Sequence, residues 1–266
     1  LPFAFAARKW YPSGSFARRF ISFGILIFFV GIFFAYTRGA WLALIVAAVC
    51  FVLIRWNVLK LFVIAGAAII VFALAYLMQG NRYMDLAPEF ESTIYHPELK
   101  DHLQASLGLE DVSSAERVYR WVAAFHMSDE RPLTGFGPGN FYPYYKNYTL
   151  KAFRTYISRN EERSTVHNYF LLMLVEQGYV GLLIFSLLII LILIKGENIY
   201  HRTRLPLDKS WVMAVNLCFI IILVQLMLSD LVETDKVGSF FFVCIALLVN
   251  QQVNNDRQRE LFKPAA

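Results

Sequence analysis

Apolar residues are gathered into long runs along this chain, and polar residues separate the runs. Six of the runs approach the roughly 20 apolar residues that a helix needs to cross a bilayer core of about 30 Å. The pattern predicts an all-α, polytopic transmembrane helical bundle of about six spans. The predicted spans are residues 20–36, 40–56, 58–78, 167–194, 211–229 and 237–253.

A long polar and aromatic loop separates the third run from the fourth. Apolar residues within it recur at i, i+3, i+4 and i+7, which predicts an amphipathic helix through Val118, Trp121, Val122 and Phe125. The preceding Ser113-Ser114-Ala115-Glu116 fits a capping box, and Pro132 is predicted to end the helix. The loop is therefore expected to be large and mainly helical.

Four segments follow from this division. Residues 1–78 hold an N-terminal segment and three spans, 79–166 the loop, 167–253 three further spans, and 254–266 a tail. The chain starts at Leu1 with no pattern typical of a signal peptide. We therefore expect it to be the C-terminal part of a larger membrane protein.

The basic residues predict the orientation. About half of the 25 Lys and Arg would lie on one side of a six-span bundle. By the positive-inside rule, that side is cytoplasmic, with both termini inside and the long loop outside. The residues concerned are Arg8, Lys9, Arg18, Arg19, Arg55, Lys60, Lys195, Arg202, Arg204, Lys209, Arg257, Arg259 and Lys263.

Composition agrees with a membrane protein. Apolar residues make up 58% of the chain and charged residues 17%, and the mean hydropathy is +0.49. The net charge of +5 is explained by topology, and no basic patch with interleaved aromatics predicts a nucleic-acid partner. The three cysteines lie in predicted spans, so the loop has neither a disulfide framework nor a zinc site.

Arg38 lies in the first external turn, on the side where basic residues are few. Two interpretations stay open for it: a snorkelling anchor at a helix end, or a contact for an anion at the outer leaflet. The neighbouring Gly39 and Ala40 predict close contact between two helices.

Arg117 is predicted in the first turn of the loop helix. The amides there carry partial positive charge, which favours binding of an anion such as phosphate and disfavours a purely structural arginine. Arg120 lies a turn further on and either shares this role or pairs with Glu116.

Gly135, Gly137 and Gly139 predict a tight turn after that helix. A phosphate-cradling loop is the weaker alternative, because no strand precedes the glycines and no Lys-Ser/Thr follows them. The aromatic residues that follow are expected to pack at the interface or, alternatively, to stack on sugars. They are Phe141, Tyr142, Tyr144, Tyr145 and Tyr148.

His167 marks the start of the fourth span. Ser164 or Thr165 is predicted to cap that helix, with His167 in its first turn. A helix N-terminus disfavours the imidazolium, so a neutral histidine that accepts a proton suits the position. A hydrogen-bonded interfacial histidine is the alternative. Further basic candidates precede it in the loop, at Arg154, Arg159 and Arg163.

Glu176 lies further along the same predicted span. An ionisable group inside a membrane helix costs about 2.5–3.5 kcal/mol on insertion scales, so its side chain is expected to face the bundle interior. Gly178 and Gly181 predict close packing beside it.

Four motifs carry a family resemblance. In chain order they are Thr37-Arg38-Gly39-Ala40-Trp41, Arg117-Val118-Tyr119-Arg120-Trp121, the turn from Pro132 to Phe141, and His167-Asn168 followed by Glu176-Gln177-Gly178-Tyr179-Val180-Gly181. Their order, spacing and topology resemble the O-antigen ligase and polymerase superfamily of polytopic bacterial glycan-assembly proteins, over roughly residues 20–195.

The resemblance implies a metal-independent glycosyltransferase of the bacterial inner membrane that needs no cofactor. Its donor would be a glycan on a polyprenyl diphosphate carrier at the periplasmic face, and its acceptor lipid A core or another glycan, among membrane lipids. Arg38 and Arg117 would bind the diphosphate, and His167 would take the proton from the acceptor hydroxyl. Lesser binding candidates would be Arg120, Arg154, Arg159 and Arg163.

Three alternatives remain at this level. A polymerase would join lipid-linked repeats, and related family members glycosylate protein. A non-catalytic glycan transporter component is the third, although a transporter is expected to show broken helices or mid-bilayer charges in several spans. Polar residues here concentrate at the outer face and in the loop, which favours interfacial chemistry.

Overall fold

The computed structural model describes residues 1–79, 82, 84, 112–153 and 165–261. Regular structure within these ranges is helical, with no strand. The α-helices in chain order are α1 Pro2–Ala7, α2 Phe16–Phe34, α3 Arg38–Arg55, α4 Leu59–Met78, α5 Val112–Glu130, α6 Phe141–Tyr144, α7 Tyr169–Arg202, α8 Pro206–Leu226 and α9 Asp235–Leu261. The predicted all-α class is confirmed.

Six helices of the described ranges are long and apolar enough to cross a membrane: α2, α3, α4, α7, α8 and α9. Each overlaps a predicted span, so the predicted set is confirmed. Several helices extend beyond their apolar runs, because a helix continues until a capping or breaking residue ends it, whereas hydropathy marks only the apolar part. Pro206, at the first position of α8, is such a boundary.

The described residues form two compact units, one drawn from the ranges 1–65 and 188–266 and the other from the range 66–187. In the first unit, α3 packs on α8 through small residues. Ala43 and Ala47 are buried in this face. A Cβ added at Gly39 would lie 3.0 Å from Leu228 Cδ1, two residues after the end of α8. The predicted close contact at Gly39 is therefore confirmed.

Two side chains of α7 hold the turn between α3 and α4, also in the first unit. Glu197 is fully buried and accepts hydrogen bonds from the amides of Leu59 (2.7 Å) and Lys60 (3.2 Å). One turn later, His201 Nε2 lies 2.7 Å from the carbonyl oxygen of Ile54. One side chain therefore caps the start of α4, and the other satisfies a carbonyl at the end of α3. Neither partnership was predicted from the sequence.

The second unit has its apolar core around α5. Val118, Val122 and Met127 are buried there, together with Phe141 and side chains of the following segments. Trp121 and Phe125 are only half-buried. The amphipathic helix is thus confirmed, but its buried face is centred on Val118 and Val122 and extends toward Met127, not toward Phe125.

The helix α7 is interrupted at Gly178, where φ is 68° and ψ is −172°. The amide of Tyr179 donates to the carbonyl of Pro132 at 2.7 Å, instead of continuing the helical ladder. The carbonyl of Val175 accepts from the amide of Phe136 at 2.8 Å. The turn after α5 thus satisfies the backbone groups that the break in α7 leaves without helical partners.

Glu176 strengthens this junction with both its backbone and its side chain. Its carbonyl accepts from the amide of Gly137 at 2.9 Å, and Oε1 accepts from the amide of Gly139 at 2.8 Å. Glu176 is 4% exposed, so its carboxylate is buried against the glycine turn, and the expectation that it faces the interior of the bundle stays a prediction. These amides bind α7, so the turn does not offer them to a phosphate, and the alternative of a phosphate-cradling loop is wrong.

Two glycines are sterically required at the junction. A Cβ at Gly135 would lie 2.5 Å from the carbonyl carbon of Glu176, and one at Gly178 would lie 2.4 Å from the carbonyl oxygen of Leu133. Both residues also have positive φ, 66° and 68°. Backbone approaches backbone here, so no side-chain movement relieves a clash. This explains the predicted close packing at Gly178.

The break also changes which residues of the fourth predicted span are needed to cross the membrane. α7 is 34 residues long, whereas about 20 residues cross a bilayer core. Residues 179–202 alone would extend about 36 Å at the helical rise of 1.5 Å per residue. The half-helix 169–177, with Glu176, is therefore not needed to span the membrane, and its carboxylate is bound by a protein turn.

We predict that Gly178→Ala lowers the free energy of unfolding by at least about 2 kcal/mol, because alanine adopts this backbone conformation only with strain and clashes with Leu133. The measurement is the unfolding of the purified protein in detergent, followed by circular dichroism. Gly24→Ala in α2 is the control, since a Cβ there meets nothing within 4 Å. Equal stability of the two variants would contradict the junction.

Candidate functional site

The predicted site residues lie in different parts of the described chain. Arg38 begins α3 in the first unit, whereas Arg117 in α5 and His167 before α7 belong to the second. Arg154, Arg159 and Arg163 lie outside the described residues. The use of Arg38 and Arg117 by one substrate remains a prediction.

His167 has an unusual backbone conformation, with φ of 53°. Non-glycine residues rarely adopt positive φ, and such residues cluster at functional sites. The cap of α7 is Asn168, whose Oδ1 accepts from the amides of Phe170 (3.0 Å) and Leu171 (3.2 Å). His167 therefore precedes the cap. The prediction that Ser164 or Thr165 caps α7 with His167 in its first turn is wrong.

Thr165 has a different local contact, in which its hydroxyl accepts from the amide of His167 at 3.4 Å. Ser164 lies outside the described residues. The short segment of residues 165–168 is thus shaped by two side chains that bind its own backbone or the helix start. His167 lies between them and is half-buried.

The segment that carries His167 is attached to α5. Trp121 Nε1 donates to the carbonyl of Val166 at 3.0 Å, and Val166 is fully buried. Arg120 Nη1 lies 3.5 Å from the carbonyl oxygen of Thr165. Val166, the residue before His167, is therefore fixed to α5 by the indole of Trp121, which itself packs against the core of the second unit.

Arg117 lies on α5 four residues before Trp121, and residues four apart share a helix face. The segment with His167 consequently lies along the face of α5 that carries Arg117, which is half-buried. The helix begins at Val112, so Arg117 is beyond the first turn. The prediction that it lies among the N-terminal amides is wrong, and its suitability for an anion has to rest on its guanidinium charge.

Arg120 has structural partners within the second unit. Its Nη2 lies 3.5 Å from Glu116 Oε2, and both side chains are nearly buried, at 13% and 9% exposure. Of the two roles left open by the sequence, the pairing with Glu116 is observed. The nearby Tyr145 has a raised pKa, because burial disfavours the phenolate more than the charge of Arg120 favours it.

The aromatic residues after the turn mostly pack against the core. Phe141 and Tyr145 are buried and stacked, with ring centroids 5.1 Å apart. Tyr148 donates to Glu130, which raises the pKa of the phenol. Tyr144 packs its ring 5.6 Å from that of Phe136 but remains 45% exposed. Packing therefore accounts for the buried rings, and Tyr144 retains a face suited to a sugar.

Arg38 is the first residue of α3 and is exposed. A cation in the first turn of a helix is opposed by the partial positive charge of the amides, so the position does not favour arginine for helix stability. The adjoining Gly39 packs against Leu228 and Gln225. The main chain at Arg38 is thus fixed by the contact with α8, while its side chain extends from the helix start.

Sequence reasoning missed three features of this region. They are the break at Gly178, the bond from Trp121 to Val166, and the side-chain bond from Glu176 to the glycine turn. A signal existed for the last of them: two glycine-rich segments and one membrane-proximal carboxylate indicate a close backbone approach. The indole bond has no sequence signal, because a tryptophan on an amphipathic helix is explained equally well by packing.

Comparison with known proteins agrees with this arrangement. The model of the O-antigen ligase family matches residues 23–186, which include α3, α5, the glycine turn and the break in α7. No curated protein and no solved structure matches the chain. The family match covers more than half of the chain, and the chain therefore belongs to the O-antigen ligase family.

Proposed function

We propose that this protein is a membrane glycosyltransferase of the O-antigen ligase type. It transfers a glycan from a polyprenyl diphosphate carrier to an acceptor hydroxyl on lipid A core, at the periplasmic face of the bacterial inner membrane. The observation that carries the proposal is the attachment of the His167 segment along the Arg117 face of α5 by Trp121. A base and a cation are thereby held on one framework.

The chemistry assigns separate roles to the cations and the histidine. The bond between the anomeric carbon and the diphosphate oxygen breaks, and a bond from that carbon to the acceptor oxygen forms. Arg117 and Arg38 bind the diphosphate and stabilise the negative charge that grows on it. His167 takes the proton from the acceptor hydroxyl and later releases it to water. Polyprenyl diphosphate leaves as the anion, so no protein acid is needed.

The backbone at His167 supports this role. Positive φ at a non-glycine residue costs about 1–3 kcal/mol and persists only where surrounding contacts determine it. Here Asn168 as the cap on one side and Val166 bound to Trp121 on the other fix that conformation. A strained backbone does not stabilise the helix start, so its presence at His167 supports a requirement for one particular position of the imidazole.

The hydrogen bonds at the break in α7 argue against a transporter component. Broken helices in transporters leave carbonyl groups that coordinate ions or substrate. In α7, the carbonyl groups of Val175 and Glu176 are occupied by amides of the turn. The break therefore serves as a structural joint with the loop.

The residue roles predict the effect of single substitutions. Arg117→Gln, Arg38→Gln and His167→Gln should each lower glycan transfer by about 100-fold or more, because a transition-state cation or a general base contributes at least that much. The measurement is the surface-glycan ladder on gels, in cells that produce each variant. Normal ladders at wild-type abundance would contradict the roles.

Matched controls separate a specific loss from a general loss of positive charge. Lys151→Gln removes an exposed cation of the second unit, and Lys236→Gln removes one from the first turn of α9, on the same predicted side as Arg38. Both variants should leave the ladder unchanged, since neither residue has a role in the mechanism.

Trp121 is predicted to act as a positioning residue through His167. Trp121→Phe keeps an aromatic ring but removes the N–H that holds Val166, and should slow transfer by about 5- to 13-fold, the equivalent of one hydrogen bond of roughly 1–1.5 kcal/mol. In a His167→Gln background the same change should add nothing. An additional loss in that background would mean that Trp121 does not act through His167. Trp56→Phe, at an exposed ring, is the control.

A further inference from the structure

A cavity of about 840 Å³ opens within the first unit, among α1, α2, α3 and α8. Its size is within the range of about 300–1,000 Å³ that is usual for small-molecule sites. The body of the cavity is apolar, and its wall includes Phe29, Leu44, Ala48, Leu217 and Ile221. These residues lie away from the start of α2, the end of α3 and the start of α8.

The opposite end of the cavity is strongly basic. Five cations line it, where α2 begins, α3 ends and α8 begins: Arg8, Lys9, Arg18, Arg55 and Lys209. No acidic side chain is among the lining residues. Within the described part of the chain, none of the five takes part in an ion pair. The cavity thus has an uncompensated cationic rim at one end and an apolar interior at the other.

The contacts of these cations are with neutral groups. Lys9 Nζ donates to Ser210 Oγ at 3.0 Å, and Arg18 Nη1 donates to Ser13 Oγ at 3.2 Å. Lys209 Nζ lies 4.7 Å from the centroid of the Tyr200 ring. Such contacts orient the side chains without neutralising them, so a positive potential remains at the rim.

Charge and shape together specify the occupant. An anionic head group is favoured at the rim, because each basic side chain near an anionic membrane surface adds to binding. The apolar interior suits a hydrocarbon chain, which a soluble anion lacks. The rim also lies on the side predicted to be cytoplasmic, where the leaflet carries the anionic lipids.

We propose that this cavity binds an anionic glycerophospholipid, with its phosphate on the basic rim and an acyl chain between α2, α3 and α8. The site contains neither Arg117 nor His167, and its occupancy does not depend on glycosyl transfer. Bound lipid would tie the start of α2 to α8, and would stabilise the first unit by mass action.

The test uses the purified protein in detergent, with native mass spectrometry to count bound lipid. Phosphatidylglycerol should bind saturably with one molecule per chain, and phosphatidylcholine with the same acyl chains should bind far more weakly. Arg18→Gln/Arg55→Gln should weaken phosphatidylglycerol binding by about 30-fold, from about fivefold for each cation near an anionic lipid. The matched control, Arg19→Gln/Arg204→Gln, removes two exposed cations outside the cavity and should leave binding unchanged.

A second pair of variants tests the apolar part and covers the case in which the charge variant fails to fold. Ala48→Phe fills the interior without changing charge and should weaken binding, whereas Val49→Phe, at an exposed position outside the cavity, should not. Equal binding of the two lipids, or equal losses in a variant and its control, would overturn the proposal. So would displacement by inorganic phosphate at equal concentration, or tighter binding of polyprenyl phosphate at the same residues.

Discussion

The second unit depends on an exchange of backbone hydrogen bonds between two segments that are far apart in sequence. A helix that breaks leaves amides and carbonyls without partners, which is costly wherever water is excluded. The turn after α5 supplies the missing partners: Phe136 donates to Val175, Gly137 donates to Glu176, and Pro132 accepts from Tyr179. Neither the turn nor the break is satisfied without the other.

This exchange places the candidate chemistry. The half-helix 169–177 is held at its far end by the glycine turn, which follows α5 in the chain, and just before its start by the bond from Trp121 to Val166. The half-helix and the segment before it are thus attached at both ends to α5 and to the turn that follows α5, which leaves little freedom for His167 and the residues between the attachments. The position of His167 along α5 is therefore set by groups that take no part in the proposed reaction.

Much of the fold could be predicted from the sequence, because bilayer-length apolar runs and an amphipathic period are strong signals. The predicted spans and the helix through Val118 and Val122 are confirmed, as is the close contact at Gly39. Helix ends were harder. Ser164, Thr165 and Asn168 are all good capping residues by type, and the structure shows that Asn168 is the one used. The interruption of α7 was not predicted, since apolar residues resume directly after Glu176, Gln177 and Gly178 and the whole run predicts one span.

The candidate site could be predicted by residue type but not by local geometry. Arg117 was expected at a helix start and lies further inside α5; the glycine turn was recognised, but its partner was not. The basic residues near α1 and α2 illustrate the same limit. In the sequence they serve only as a topology signal, whereas in the structure five cations share the rim of one cavity. The sequence shows that these residues are basic, but only the packing of α1, α2, α3 and α8 shows that they surround one cavity.

Glycosyl transfer is measured most directly with the purified protein, reconstituted with a labelled polyprenyl-diphosphate glycan and a chosen acceptor. Lipid A core and a second lipid-linked repeat are supplied in separate reactions, each with and without a chelator. We expect label on lipid A core, insensitive to the chelator and lost in the Arg117→Gln protein. Label only on the second repeat would make the protein a polymerase. Transfer to neither acceptor, by protein that is folded and inserted, would contradict the proposed glycosyltransferase activity.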